Sequence, residues 1–183
     1  MPRDSRSSRA QSSQSLPESL TIRPLRSEEH AAAGELTVAA YLSPPAADDS
    51  PPDLGDYLDE LHDVSARAAD ALVLVACSER EMLGCVTYVA TPQSLFAEFH
   101  DPGAAGIRML AVAPAARGRG VGAALVRECI ARARSEDKSK VILHTTLWMH
   151  AAHRLYSGLG FKRTQRLDID LPQVCLIAFV LEL

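Results

Sequence analysis

The sequence predicts one mixed α/β domain that contains at least one strand–helix–strand crossover. Three observations support this prediction. Hydrophobic patterns typical of strands and of helices alternate along the chain, and a glycine-rich turn separates a strand from a helix. No internal repeat is visible. The 183 residues are enough for one domain with a substantial core, but too few for two. We therefore expect a disordered Ser- and Arg-rich tail over residues 1–19 and a domain over residues 20–183.

The sequence of the first half of the domain predicts an edge strand, two helices and a hairpin. The first strand is placed at an edge because Pro24 has no N–H to donate to a neighbouring strand. Ser27 is expected to cap the first helix. The predicted elements are a strand over 20–25, a helix from Ser27 to Leu42, a Pro-rich loop over 43–52, a helix over 54–69, and antiparallel strands over 71–77 and 82–90.

The second half of the domain alternates strands and helices and then closes with two strands. Residues 91–106 carry no clear period and are expected to form a long loop. Gly160 follows the last helix at the position where glycine commonly ends a helix. The predicted elements are a strand over 107–112, a helix from Val121, a strand over 141–146, a helix over 151–159, and an antiparallel pair over 161–169 and 174–183.

Composition and charge exclude several classes of protein. A net charge of -4 argues against binding to nucleic acid, which normally requires a basic surface. No apolar run approaches the roughly 18 residues of a membrane span, and the N-terminal residues lack the apolar stretch of a secretory signal. Cys77, Cys85, Cys129 and Cys175 lie in apolar settings with no close pair, so we expect buried free thiols in a cytoplasmic protein.

The segment Arg117-Gly118-Arg119-Gly120-Val121-Gly122 predicts an anion-binding site. Free N–H groups at a helix N-terminus point outward, and the helix dipole favours negative charge there. Glycines allow the backbone to approach a phosphate closely, because no Cβ intervenes. The side chains of Arg117 and Arg119 are expected to add charge-assisted hydrogen bonds to the phosphates.

Two kinds of nucleotide site fit this segment poorly. A Walker A loop requires a lysine followed by Ser or Thr, and no lysine is present in the loop or at the helix start. A dinucleotide site is formally matched by Gly118-x-Gly120-x-x-Ala123. Such a site also needs an acidic residue at the end of the next strand, but residues 145–148 are Thr-Thr-Leu-Trp.

Two segments resemble motifs of the GNAT family of N-acetyltransferases. Leu110-Ala111-Val112 followed by Arg117-x-x-Gly120-x-Gly122 resembles the family's acyl-CoA-binding motif. The segment from Ala152 to Phe161, AHRLYSGLGF, is similar to its helix-to-strand motif. The resemblance extends from about residue 20 to the C-terminus. It implies a single mixed, mostly antiparallel sheet with a central splayed parallel strand pair and flanking helices.

The resemblance also implies a chemistry. Acetyl-CoA is the expected co-substrate, and its acetyl group is expected to move to a primary amine by direct attack in a ternary complex. Tyr156 occupies the family's usual position for the general acid. The amine is expected on a small molecule or a protein, and a homodimer is one open option. The residues expected to bind the cofactor are Leu110, Ala111, Val112, Arg117, Gly118, Arg119, Gly120, Val121, Gly122 and Ala123.

The chain departs from the family pattern at two positions. Many relatives carry a glutamate as the general base where this chain has Gly106, so Glu98, His100 and Asp101 in the preceding loop become the candidates. His144 could also face the cleft, although a buried histidine of the core is the preferred interpretation. Met149 stands where relatives often have an asparagine. A CoA-binding regulatory module without turnover is therefore the alternative function. An acidic cluster could attract a cationic amine: Asp48, Asp49, Asp53, Asp56, Asp59 and Glu60.

Overall fold

The structure is a computed structural model that describes residues 19–43 and 54–183. The predicted N-terminal tail and most of the predicted Pro-rich loop lie outside these residues. The described elements, in chain order, are β1 (Thr21–Pro24), α1 (His30–Leu42), α2 (Tyr57–His62), α3 (Val64–Asp70), β2 (Leu72–Cys77), β3 (Met82–Val89), β4 (Ala104–Val112), α4 (Val121–Ser135), β5 (Lys140–Thr146), α5 (His150–Gly158), β6 (Lys162–Arg163), β7 (Ile169–Asp170) and β8 (Cys175–Glu182).

The strands form one mixed sheet in the order β1-β2-β3-β4-β5-β8-β6, and β7 also pairs with β8. The β4–β5 pair is parallel, and the other pairs are antiparallel. The α4 helix connects the two parallel strands, as a crossover requires. The structure confirms the predicted sheet, its central parallel pair and the edge position of the first strand.

Helices cover both faces of the sheet. Alternate side chains of β2 point to opposite faces, as strand geometry requires. Leu74 and Ala76 pack in the cluster that contains the buried face of α4. Val75 packs with Ala40 of α1, and Val73 packs with Val64 of α3. This two-sided burial explains why β2 is apolar along most of its length, as the sequence predicts.

The cysteine prediction is confirmed in part. All four thiols are free, but only Cys85 and Cys129 are buried, while Cys77 and Cys175 are partly exposed. Burial raises the pKa of the Cys129 thiol to about 12, so this group stays protonated. None of the helices in the described part of the chain has the length and apolar character of a membrane span.

The prediction of a single helix over residues 54–69 is wrong, because the structure has two helices there, α2 and α3. Asp63 leaves the helical conformation and its side chain accepts a hydrogen bond from the backbone N–H of Ala66, which caps α3. A close approach of α1 accompanies this break. A Cβ on Gly34 would lie only 2.4 Å from the His62 carbonyl oxygen.

Three predicted boundaries also differ from the structure. Ser27 does not cap the first helix, because it lies in a 3-10 turn over Ser27–Glu29. Glu29 of this turn accepts a hydrogen bond from the backbone N–H of Arg26 and forms an ion pair with Arg23. The β4 strand begins inside the predicted long loop, at Ala104, where it pairs with β5. The strand predicted over 161–169 is interrupted by a 3-10 turn over Gln165–Leu167.

Candidate active site

A cleft opens where the two parallel strands separate. The β4–β5 pairing ends at Ile107 and Leu143, although both strands continue beyond these residues. Met109 has a φ of 50°, and the β3–β4 register shifts around it, so β4 carries a bulge. The cleft has a volume of about 1200 Å³. The splayed strands agree with what the family resemblance implies.

The glycine loop forms one end of this cleft. Gly118 and Gly120 have φ values of 73° and 77°, a left-handed conformation that favours glycine. Gly120 is the N-cap of α4, and no side chain caps this helix. The first-turn N–H groups of α4 therefore remain available to an anion. The predicted cofactor-binding residues that line the cleft are Leu110, Ala111, Val112, Arg117, Gly118, Gly120, Val121, Gly122 and Ala123.

The two arginines of the loop have different surroundings. The Arg117 guanidinium donates hydrogen bonds to the carbonyl oxygens of Ala40, at 2.7 Å, and of Ser43. These carbonyls belong to the end of α1, where the helix dipole is negative. Arg119 is partly exposed and does not line the cleft. Arg117 lines the cleft, and the expected contact of the two guanidinium groups with phosphates stays a prediction.

An unpaired hydroxyl lies farther along the cleft. Thr146, at the end of β5, lines the cleft, and its Oγ1 atom is buried without a hydrogen-bond partner in the described residues. A buried hydroxyl without a partner is unfavourable, and a ligand that supplies one is stabilised. Together with the uncapped helix start and the glycine backbone, this hydroxyl fits a ligand that combines phosphates with amide groups.

Tyr156 lies in the same cleft. Its ring packs against Phe161 and Phe179, with ring centroids 5.9 Å and 6.1 Å apart. Burial raises the pKa of its hydroxyl well above the usual value of about 10. The phenol therefore keeps its proton at physiological pH, which is the state that a proton donor requires.

A three-residue network lies across the cleft. Glu98 Oε1 lies 3.1 Å from Arg108 Nη2, and Glu98 Oε2 lies 3.1 Å from His144 Nδ1. All three residues line the cleft. Asp70 holds the loop that carries Glu98, since it accepts hydrogen bonds from Ser94 Oγ at 2.5 Å and from the Leu95 N–H at 2.7 Å.

The other two candidates for the base lie elsewhere. His100 is exposed and does not line the cleft. Asp101 pairs with Lys140 at 3.0 Å and accepts the backbone N–H of Gly103. Of the three loop candidates, the structure brings only Glu98 to the cleft.

Comparison with known proteins identifies the family. The model of the acetyltransferase (GNAT) family matches residues 36–161, which is more than half of the chain. The chain belongs to this family. The family that the model describes is one of acetyltransferases.

Solved structures share the fold. A GNAT acetyltransferase from Staphylococcus aureus Mu50 is 14% identical with a TM-score of 0.68, covering 90% of this chain and 99% of that one. The protein yncA from Salmonella typhimurium, solved with its cofactor acetyl-CoA, is 22% identical with a TM-score of 0.62, covering 90% of this chain and 94% of that one. One curated relative, the N-acetylaspartate synthetase of Danio rerio, is 38% identical over 73 residues. These residues are 39% of this chain and 26% of the relative.

The structure explains why this chain has a glycine at position 106, where many relatives carry a glutamate. A Cβ at this position would lie 2.7 Å from the ring of Phe99, so the Phe99 ring occupies the space that a side chain would need. Glu98, the residue beside Phe99, faces the cleft near the same point, next to Arg108. A carboxylate is thus present near Gly106, although it comes from the loop and not from the strand.

Several residues of the site were missed by sequence reasoning. Arg108 carried a usable signal, because it is the one charged residue in the apolar segment 107–112. Tyr41 and Tyr57 meet edge to face in the cleft, with centroids 6.2 Å apart, but single tyrosines on helices carry no signal. Of the predicted acidic cluster, Asp56 and Glu60 line the cleft, Asp59 does not, and Asp48, Asp49 and Asp53 lie outside the described residues.

Proposed function

We propose that this acetyltransferase transfers the acetyl group to a primary amine by direct attack within a ternary complex. One observation carries the proposal. Glu98 and Tyr156, a candidate proton acceptor and a candidate proton donor, line the same cleft as the glycine loop. Amine and thioester can therefore meet in one space, with no need for an acetylated side chain as an intermediate. The cofactor contacts expected at the loop and at β4 support this arrangement.

Glu98 is the proposed general base. A free alkylammonium has a pKa of about 10.4, so the amine must lose a proton before it can attack. Glu98 would accept this proton, directly or through one water. The guanidinium of Arg108, 3.1 Å from Oε1, keeps the carboxylate oriented toward the cleft. Removing the proton frees the nitrogen electron pair for attack on the thioester carbonyl.

Tyr156 is the proposed general acid. The departing thiolate must gain a proton, and the Tyr156 hydroxyl is protonated because burial raises its pKa. Backbone N–H groups at the β4 bulge would stabilise the negative charge that develops on the carbonyl oxygen. These N–H groups belong to the segment around Met109, where the strand departs from regular pairing.

The acceptor is proposed only as a class. The curated relative is named for N-acetylaspartate, and a similar structure is that of a ribosomal-protein-alanine N-acetyltransferase from Brucella melitensis. Both names point to the α-amino group of an amino acid or of a polypeptide. In this chain, Tyr41, Tyr57, Asp56 and Glu60 line the same cleft as Arg108, and Glu60 lies 3.7 Å from Arg108 Nη2. An α-amine on a small molecule or on a protein is therefore the proposed acceptor.

The test is release of the free CoA thiol from acetyl-CoA over a panel of amino acids, peptides with a free N-terminus and alkylamines. We expect at least one amine to release thiol, and Tyr156→Phe to slow this release. Binding of CoA without thiol release on any amine, with Tyr156→Phe indistinguishable from the wild type, would instead identify a regulatory module. Thermal protection by CoA but not by NAD(P) excludes a nicotinamide-dependent oxidoreductase.

A further inference from the structure

The two ring nitrogens of His144 both face atoms that only accept hydrogen bonds. Nε2 lies 2.9 Å from the carbonyl oxygen of Leu167, and Nδ1 lies 3.1 Å from Glu98 Oε2. The side chain is only 2% exposed, so water does not replace either contact. The ring is thus held between the turn that precedes β7 and the loop that precedes β4.

This arrangement fixes where His144 can gain a proton. A carbonyl oxygen cannot donate, so the Nε2 atom must carry a hydrogen in order to bond to Leu167. The neutral imidazole is therefore the Nε2–H tautomer, and the unprotonated nitrogen is Nδ1, which faces the carboxylate. Two acceptors at 3.1 Å repel each other, and a single proton between them removes this repulsion.

We infer that Glu98 and His144 act as one proton acceptor, with His144 as a positioning residue that takes the proton from Glu98. This inference rests on the proposed function. An N–H bond of the attacking ammonium breaks as an O–H bond forms on Glu98, and the nitrogen keeps the electron pair. That O–H bond then breaks as the Nδ1–H bond forms, which restores the carboxylate. After the product leaves, the proton returns to solvent along the same path.

Charged groups surround the pair. Arg108 contacts the other oxygen of Glu98 and holds the carboxylate in place beside Nδ1. Asp168, beside the turn, has a lowered pKa because of its hydrogen bond from Arg163, with a smaller contribution from His144. Glu60 is also close, 3.7 Å from Arg108 Nη2. On β8, His144 pairs with Ala178, which is uncharged.

The first test needs no substrate. ¹⁵N-histidine NMR of the full chain, with His144→Gln used to assign the resonance, reports the tautomer directly. We expect the Nε2–H tautomer at alkaline pH. We also expect that the proton gained on acidification appears on Nδ1 with a downfield ¹H signal that is lost in Glu98→Gln. A neutral Nδ1–H tautomer, or a downfield signal that Glu98→Gln leaves unchanged, would overturn the inference.

The second test separates proton transfer from structure. His153 provides the control, because its Nε2 also lies 2.8 Å from a main-chain carbonyl, that of Thr146, but it pairs with no carboxylate of the described residues. On the best amine of the panel, His144→Gln should lower kcat about tenfold or more and leave KM for acetyl-CoA unchanged. His153→Gln should leave kcat near the wild-type value. An unchanged kcat in His144→Gln contradicts the inference, whereas the absence of any acetylated amine contradicts only the proposed function.

Discussion

The two halves of the cleft are built in different ways. The part proposed to hold the cofactor, the cofactor half, includes the bulged end of β4, the glycine loop and the uncapped start of α4, where backbone N–H groups are the proposed donors. The part proposed to hold the acceptor amine, the acceptor half, is lined by residues of α1, α2 and the loop before β4 and by His144. A backbone site requires a short run of particular residues, whereas a side-chain site can be assembled from segments far apart in the sequence. We therefore expect substitutions to separate binding of the cofactor from proton transfer.

The largest expected effect lies in proton transfer. Tyr156→Phe should lower kcat by about 10²-fold or more, because a general acid contributes about 10²- to 10⁴-fold. The affinity for CoA and the stability should change little, since the ring still packs against Phe161 and Phe179. Steady-state kinetics, calorimetric titration with CoA and urea unfolding measure the three quantities. A parallel fall in CoA affinity would place the hydroxyl in cofactor binding.

The next effect concerns the cofactor half. Gly120→Val should weaken CoA binding about 100-fold, or about 2.7 kcal/mol, because a β-branched residue at a φ of 77° is strained and its side chain obstructs the helix start. Gly158→Val is the matched control, since a Cβ at Gly158 meets nothing within 4 Å. Calorimetric titration measures both variants. Equal affinities for CoA in the two variants would contradict the role of the loop.

A smaller effect distinguishes two alternative roles of Arg117, which are holding the end of α1 and binding a phosphate. Its guanidinium holds the end of α1, so Arg117→Lys should lower the free energy of unfolding by about 2 kcal/mol through lost charged hydrogen bonds. The affinity for CoA should fall less than about threefold. Urea unfolding and calorimetric titration measure the two effects. A loss of CoA affinity at unchanged stability would support the contact between Arg117 and a phosphate that the sequence predicts.

The smallest effect concerns Thr146. Thr146→Val should weaken CoA binding by about fivefold, or about 1 kcal/mol, because it removes one hydrogen bond. The free protein should not lose stability, since the Oγ1 atom has no partner in the described residues. Thr145→Val is the control, because the Thr145 hydroxyl already donates to Met149 Sδ at 3.5 Å. A CoA affinity unchanged in Thr146→Val would exclude the hydroxyl from the cofactor site.

The sequence predicts the local structure of the glycine loop for a physical reason. The glycines near φ 75° and the strand–turn–helix order are local, so they leave a compact motif between Leu110 and Ala123. The proposal for Tyr156 also comes from a local motif. The parallel pair follows from the crossover helix, and the β2–β3 hairpin follows from the short polar segment between two apolar runs.

The acceptor half could not be predicted in the same way. Glu98 faces the cleft because Phe99 packs on Gly106 and Asp70 holds the loop, and neither contact is visible in a linear pattern. His144 depends on the carbonyl of Leu167, 23 residues away. The close approach of Gly34 to His62, which accompanies the break between α2 and α3, likewise joins distant segments. Such contacts join distant segments and carry no spacing rule.

The most direct test of this division is Glu98→Gln, measured with the best amine of the panel. Calorimetric titration and steady-state kinetics give the dissociation constant of CoA and kcat for the same preparation. We expect the CoA dissociation constant to stay within about twofold of the wild type, while kcat falls by about 10²-fold or more. An unchanged kcat, or a loss of CoA affinity as large as the loss of kcat, would contradict the assignment of Glu98 to proton transfer.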